Sequence, residues 1–397
     1  MRRSFLLLST ICTLSVLFGV YVSARVGSTT FHLNGNTVTV AKKDLVAFLR
    51  ILEKRWKGTP LKIVIDGEVF EVPKESLGVC WNIKAMKRMA QKGEAVTIAV
   101  QWDSKKITSF LHNLKEKTFR PPQNASWNGN RFIPAQEGRV LNPEQTLQAL
   151  EEALRTWNDT IVLNTFDPLF PERDNQAVLR ERGFAFLLAS STTSLEGREE
   201  DVVFNIKKAA TSLSGFFLPK GTPFSFNSVI GKAEAEDGYR KTQILSNGRL
   251  VPGYGGGVCQ VATTLYNALL GTEAEILERH PHSGYAPTTN YVPPGLDAAV
   301  SYGSKDLRFR FPSQSVVILM YTKGTSLVCE IWGEKENHVV AKITQKLKKL
   351  SRSGENEGFL TVETRIARRG AQHLSFIDTY LIPWDFAQEI AQKFSDS

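Results

Sequence analysis

The residues best equipped for chemistry are Cys259 and His282, with Asp297 following in chain order. A thiolate attacks, an imidazole holds and passes the proton, and a carboxylate fixes the imidazole's tautomer. His280 is the alternative base, and Asp306 the alternative orienting carboxylate. Cys259 and His282 stand only 23 residues apart, room for one helix and a reversal. The stretch from Gly255 to Asn267 supplies that helix. Gly255, Gly256 and Gly257 open backbone conformations closed to other residues and admit close approach of a chain or ligand. Val261, Leu265, Ala268 and Leu269 then recur at helical spacing and make an apolar face. Cys259, Thr263, Tyr266 and Asn267 make a second face that is polar but uncharged. No charge occurs between Arg249 and Glu273, so this face is expected to be covered by protein. Cys259 then sits in the first turn of a buried helix, where the dipole and open N–H groups favour a thiolate. Gln260 or a glycine N–H is the expected oxyanion donor.

The same residues support two other readings. In one they wall a ligand-binding cleft made of Gly255, Gly256, Gly257, Gln260, Thr263, Tyr266, Asn267 and Arg279. In the other the glycines are a tight backbone crossing, Cys259 is a small buried side chain, and Arg279 pairs with Asp297 to fix the fold. Cys259, His280 and His282 match no standard zinc spacing, so no metal and no cofactor are expected.

The elements that must position these groups begin with an export segment. Arg2 and Arg3 precede an apolar run from Phe5 to Val22, and Val22-Ser-Ala24 resembles a small-residue cleavage site. The run is nearly long enough to span a bilayer, so residues 1–24 read as a signal peptide or a membrane anchor. The rest is expected outside the cytoplasm. Of the remaining cysteines, Cys80, Cys259 and Cys329, an odd number leaves at least one free thiol. Net charge is +9, or +7 without Arg2 and Arg3, which suits an anionic polymer or surface. Outside Lys346–Lys349 the basic residues are dispersed, so no nucleic acid partner is expected.

The composition, 42% hydrophobic and 22% charged, fits folded domains, and 397 residues exceed one usual core. The expected class is α+β. Residues 29–107 read as a first αβ module, with an amphipathic helix over Ala41–Trp56 and strands at Leu61–Ile65 and Val69–Val72. A weak repeat follows: Ser76–Ala90 and Gly138–Leu154 each give Gly, a short extended piece, Asn, then a helix. Asn142 is an N-cap with Pro143 at the first helical position. Strands at Ala95–Gln101 and Thr160–Asn164 end the two units. Asp167 to Asp174 is a proline-punctuated linker. Beyond it, Phe184–Ala189 reads as a strand, Ser190–Glu199 as a polar connection, and Asp201–Leu213 as a helix. Strands dominate after Tyr302, and Asp385–Ser397 is an amphipathic tail helix.

Two sets of residues carry resemblances. Arg120-Pro-Pro followed by Asn124-Ala, a hairpin ending in Arg131-Phe132, and Gly138-Arg-Val before a helix are similar to a peptidoglycan-binding module of the YoaR type, over residues 108–175. Pro219-x-Gly221-x-x-Phe224-Ser-Phe-Asn227, Gly238-Tyr239, Gly255-Gly-Gly-Val-Cys-Gln-Val-Ala-Thr-Thr-Leu-Tyr-Asn267, Glu278-Arg279-x-x-His282-Ser283, Pro293-x-Gly295-x-Asp297-Ala298 and Gly303-x-x-Asp306-Leu307 together resemble the VanW family. Ala262 stands where that motif commonly has Ser. The resemblance places a VanW domain over residues 184–385, mixed, with a central buried helix and a β-rich C-terminal half. The family is named from vancomycin-resistance clusters. It implies a secreted or membrane-anchored protein of the cell wall, with peptidoglycan or another wall polymer as partner. The two functions it leaves open are a cysteine-dependent wall hydrolase or transferase and a non-catalytic scaffold or ligand-binding protein.

Overall fold

A computed structural model describes residues 21–395 apart from 26–27, 34–35, 93, 95, 247–248 and 285–290. The N-terminal run up to residue 20 and the Asn34-Gly35 turn signal lie outside the described residues. The protein is α+β, and its chain divides into two compact units.

The first unit comprises the described residues up to 122 and residues 137–170. Its helix Leu45–Lys57 lays Leu45, Leu49, Leu52 and Trp56 against the core at i, i+4, i+7 and i+11. The strands Leu61–Ile65 and Glu68–Val72 turn at Asp66-Gly67, where both residues have positive φ. The repeat is built as two strand–helix–strand units with an antiparallel return. Strand Val79–Trp81 pairs with Val100–Trp102 around helix Ile83–Lys92, and strand Gly138–Leu141 pairs with Phe166–Leu169 around helix Pro143–Arg155. The asparagines are equivalent in detail. Asn82 Oδ1 accepts from Ala85 N and Asn142 Oδ1 from Gln145 N, each at 3.0 Å. Each asparagine N–H also reaches the carbonyl just before the returning strand, that of Ala99 or Thr165.

Three expectations need correction in this unit. Residues 29–107 and 108–175 are not separate modules, because helix Ser104–Thr118 crosses that boundary and one core joins Leu49, Trp56 and Trp81 to Leu150 and Leu154. The strand expected over Ala95–Gln101 is confined to Val100–Trp102. Strand Thr160–Val162 pairs in parallel with Leu61–Ile65 rather than serving the repeat.

The second unit comprises residues 123–136 and 171–397. A four-stranded antiparallel sheet runs in the order Phe186–Ser194, Ser326–Gly333, Val316–Lys323, Phe216–Leu218. Helices Glu200–Leu213 and Val258–Leu270 pack on it and on each other. The expected polar connection after Ala189 is strand instead. Its hydroxyls are used by the central helix: Thr193 Oγ1 pairs with Thr264 Oγ1 at 2.8 Å and accepts from Gln260 Nε2 at 3.1 Å. The hairpin of Ser126–Asn128 and Arg131–Ile133, expected within the wall-binding module, belongs to this unit. Phe132 is fully buried with Phe184, Val317 and Trp332. Arg131 Nη2 caps the carbonyls of Thr211, Ser212 and Ser214 at the end of helix Glu200–Leu213. A meander of Val340–Arg352, Glu357–Arg369 and Leu374–Pro383, backed by helix Trp384–Ser395, closes the chain around its own core.

Candidate active site

The helix Val258–Leu270 is buried along nearly all its length, which accounts for its lack of charge. Its apolar face enters the main core. Its polar stripe is zipped to an extended segment, residues 296–300. Asn267 Nδ2 donates to Leu296 O at 2.8 Å. Thr263 Oγ1 accepts from Ala298 N at 2.9 Å and donates to Ala298 O at 3.2 Å. Cys259 Sγ lies 3.5 Å from Val300 N and 3.4 Å from Val300 O. Helix positions i, i+4 and i+8 thus meet backbone positions two residues apart, because both rise by nearly the same distance. Asp297 lies between two of these contacts and faces the other way.

There it meets His282. Asp297 Oδ2 accepts from His282 Nδ1 at 2.6 Å and from His282 N at 2.7 Å. Oδ1 accepts from Arg279 Nη2 at 2.9 Å and from Tyr380 Oη at 2.7 Å. With Nδ1 engaged, the ring's hydrogen bond to the Cys259 sulfur falls to Nε2. Arg279 also pairs with Asp378 at 2.6 Å, and all of Asp297, Asp378 and His282 are buried.

This burial sets the charges. Burial pushes the Asp297 carboxyl up, but the bond and charge of His282 and the Arg279 guanidinium outweigh it and hold it well below the usual carboxylate range. Burial pushes the His282 ring down, yet Asp297 and the sulfur reverse this and raise it to about 10. Burial likewise raises the Cys259 thiol, and the His282 hydrogen bond and charge, with the Val300 N–H, bring it below its ordinary value. A lowered thiol and a raised imidazole at a helix start are the directions that favour a thiolate–imidazolium pair.

A cavity of about 410 Å³ opens at the sulfur. The glycines and His282 border it, and so do Gln243 and Tyr254 from the hairpin Lys241–Ser246/Arg249–Tyr254. A Cβ at Gly256 would meet Thr242 Oγ1 at 2.1 Å, and one at Gly257, whose φ is +103°, would meet Ile206 at 2.7 Å. The glycines are therefore both a tight crossing and a cleft floor.

The other expected wall residues do different work. Thr263 and Asn267 spend their polar groups on the 296–300 segment. Tyr266 is fully buried in the core, and Arg279 is held between two carboxylates, so neither faces the cavity. Gln260 reaches the cavity rim, but its amide donates to Thr193 and to Ser194 O, which removes it as an oxyanion donor. His280 is half exposed and bonded to Glu278, away from the sulfur. Asp306 ties a loop through Ser225 Oγ and Asn227 N. Among the described residues no group of three or more His, Cys, Asp or Glu converges as a metal site.

Sequence reasoning missed Tyr380 and Asp378. Their signal was present: both occupy the inward face of strand Leu374–Pro383, where a carboxylate needs a buried partner. It also missed Val300, Tyr291 and Arg198, which lie in irregular segments without periodicity.

Two family models match the chain. Residues 202–332, which include Cys259, His282 and Asp297, match the family described as "VanW like protein". The chain carries a VanW-like domain. Residues 67–162 match "Putative peptidoglycan binding domain". That match begins well before residue 108 and covers the first strand–helix–strand unit and the strand and helix of the second, consistent with their single core. The Bacillus subtilis (strain 168) "Uncharacterized protein YoaR" is 27% identical over 232 residues, 58% of this chain and 75% of that protein. The "Vancomycin B-type resistance protein VanW" of Enterococcus faecalis (strain ATCC 700802 / V583) is 28% identical over 149 residues, 36% of this chain and 54% of that protein. The chain thus spans about half the length of the latter and three quarters of the former. No solved structure matches the chain. Of the VanW-like motif residues quoted above, Thr263, Asn267 and Arg279 hold the segment that carries Asp297.

Proposed function

We propose that this is an exported cell-envelope protein whose VanW-like domain performs thiol-dependent acyl transfer on wall peptides, with the N-terminal unit holding it on peptidoglycan. The observation that carries the chemistry is the hydrogen-bonded order Cys259, His282, Asp297 at the mouth of a cavity. The names of the matched families support the wall as the setting. Arg2, Arg3 and the Phe5–Val22 run support export by a cleaved or anchoring segment. Among the described residues, no helix is long and apolar enough to cross a membrane.

In this reading the Cys259 thiolate attacks a peptide carbonyl and forms a C–S bond. The His282 imidazolium gives its Nε2 proton to the leaving amine as the C–N bond breaks, leaving a thioester and a free amine. Water gives hydrolysis, and a second amine gives transpeptidation; in both, His282 takes the incoming proton back and the thiolate departs. Val258 N and Gln260 N are spent on Gly255 O and Gly257 O, so among the described residues the Cys259 N–H is the first-turn donor left for the oxyanion. Asp297 keeps Nδ1 protonated and the ring turned to the sulfur.

The test is intact-mass spectrometry of the protein mixed with muropeptides released from purified sacculi. An acyl adduct on Cys259, absent from Cys259→Ala, together with trimmed or cross-linked products, is the expected result. An unreactive thiol and an unchanged muropeptide profile would overturn the reading.

A further inference from the structure

The basic run Lys346-Leu-Lys-Lys349 takes no part in the site; it lies in strand Val340–Arg352 of the C-terminal meander. In a regular strand Lys348 and Lys349 would point to opposite faces. A bulge prevents this. Leu347 stands opposite Val362 and Lys349 opposite Thr361, so two steps on one strand match one step on its neighbour. Leu347 and Leu350 therefore both pack on the core under helix Trp384–Ser395, while Lys346, Lys348 and Lys349 all stay exposed. Lys342, opposite Ala367, precedes them on the same outer face. The central strand Glu357–Arg369 adds Arg365 and Arg369. The Glu363 carboxylate is held by Lys348 at 3.3 Å and by Arg365 at 2.6 Å. Lys342, Lys346, Lys349 and Arg369 have no carboxylate partner among the described residues. The third strand, Leu374–Pro383, contributes the uncharged Ser375, Ile377, Thr379 and Leu381 to this face. The cations thus form a strip two strands wide, running roughly 20 Å from Lys342 to Lys349 at about 3.3 Å per residue. Lysines on an edge strand guard it against pairing, but Arg365 and Arg369 sit on the central strand, where no edge needs guarding. The inner face of the same sheet carries Asp378 and Tyr380, so the strip is separate from the relay.

We propose that this strip is a docking surface for a linear polymer of polyol phosphate, an anionic wall polymer of the phosphodiester class. A narrow line of cations matches a single polyanionic chain lying along the strands. A membrane surface is a plane of headgroups, and it would meet the uncharged third strand as well. The lysine ammonium binds phosphate as a point charge without demanding a fixed geometry, which suits a flexible chain. The choice of a wall polymer rests on the envelope setting proposed above; nothing in it depends on the thiol chemistry.

Binding of the purified protein to fluorescently labelled poly(glycerol phosphate) tests the strip whether or not the protein is exported. The decisive pair of variants changes net charge equally. One combines Lys342→Gln, Lys346→Gln and Lys349→Gln. The other combines Lys220→Gln, Lys323→Gln and Lys335→Gln, exposed lysines elsewhere in the same unit. The wild type should bind, more weakly as salt rises. The strip variant should lose roughly tenfold or more in affinity and show a shallower salt dependence, from the lost phosphate contacts. The control variant and Cys259→Ala should bind like the wild type. Melting temperature should be unchanged in both triple variants, since every substituted side chain is exposed. Should the strip triple fail to fold, Lys349→Gln and Arg369→Gln singly are expected to weaken binding, and no loss in either would overturn the proposal. Equal losses in the strip and control variants would reduce the effect to net charge and overturn it. So would absence of wild-type binding at low salt. Poly-glutamate bound as tightly as the phosphate polymer would overturn the phosphodiester assignment. Phosphatidylglycerol vesicles bound as tightly, through the same lysines, would make a membrane the occupant and overturn the polymer.

Discussion

At the scale of single residues, the proposed relay depends on two buried charges, His282 and Asp297, holding each other. Alkylation of Cys259 should reach its full rate at a pH below the roughly 8.5 of an ordinary thiol, and His282→Ala should shift the curve upward. Stability carries the same signature with opposite signs for the two partners. The raised His282 contributes stability that is present below its unfolded value of roughly 6.5 and is lost as pH rises through about 10. The depressed Asp297 contributes stability that is present above roughly 3.9 and is lost on acidification. The Cys259 thiolate adds stability above its unfolded value and offsets part of the alkaline loss. Melting temperature followed against pH should therefore be highest between about 4 and 6.5 and decline on either side. Asp297→Asn should lower acyl-transfer rate by roughly 10²–10⁴-fold, because the amide no longer stabilises the imidazolium. Arg279→Ala strands two buried carboxylates, Asp297 and Asp378, and should destabilise the fold by roughly 3–5 kcal/mol in denaturant titration.

At the scale of elements, the site is a helix start clamped to an irregular segment, residues 296–300. The zipper between the Cys259 helix and residues 296–300 sets how far the sulfur stands from the imidazole. Thr263→Val removes one rung and leaves the Ala298 N–H and C=O without their partner. The expected cost is roughly 1–3 kcal/mol in thermal unfolding, with a rise in the alkylation pKa of Cys259 as the ring and sulfur lose register. Gly256→Ala should be worse. Its Cβ would strike Thr242 and the Gln243 carbonyl, which belong to the hairpin over the cavity, so that hairpin must move for the chain to fold. Soluble yield and melting temperature measure the effect.

At the scale of the whole molecule, the order of the chain and the division into compact units disagree. Residues 123–136 leave the first unit and complete the second. Expressing residues 171–397 alone removes Phe132 from a pocket shared with Phe184, Val317 and Trp332 and uncovers the end of helix Glu200–Leu213. That fragment should melt well below the intact protein. Phe132→Ala in the full chain should cost roughly 3–5 kcal/mol by chemical denaturation. Under the proposed function the intact chain should also co-sediment with purified sacculi. Binding that disappears at modest salt would be charge attraction from the basic surface alone.

The strongest local signals were readable in one dimension. The uncharged helix after three glycines, the buried aliphatic stripes and the Asn-initiated repeat all follow from periodicity and capping, which act over a few residues. The types needed for the proposed relay were likewise visible as Cys259, His282 and a later carboxylate. What sequence could not supply was selection among equals. His280 and His282 differ by two positions, and only the pairing of residue 280 with the backbone of Ala299 turns the former outward and the latter inward. Asp297 and Asp306 are both acidic residues in irregular chain. The zipper to Thr263 and Asn267 delivers one to the imidazole, while Ser225 and Asn227 retain the other. Tyr380 and Asp378 arrive from more than 80 residues away. Such contacts depend on how a strand far along the chain lies across the helix, and no local propensity encodes that distance. For the same reason sequence does not show that the hairpin at Phe132, inside the residues that match the peptidoglycan-binding family, packs with Phe184, Val317 and Trp332 far along the chain.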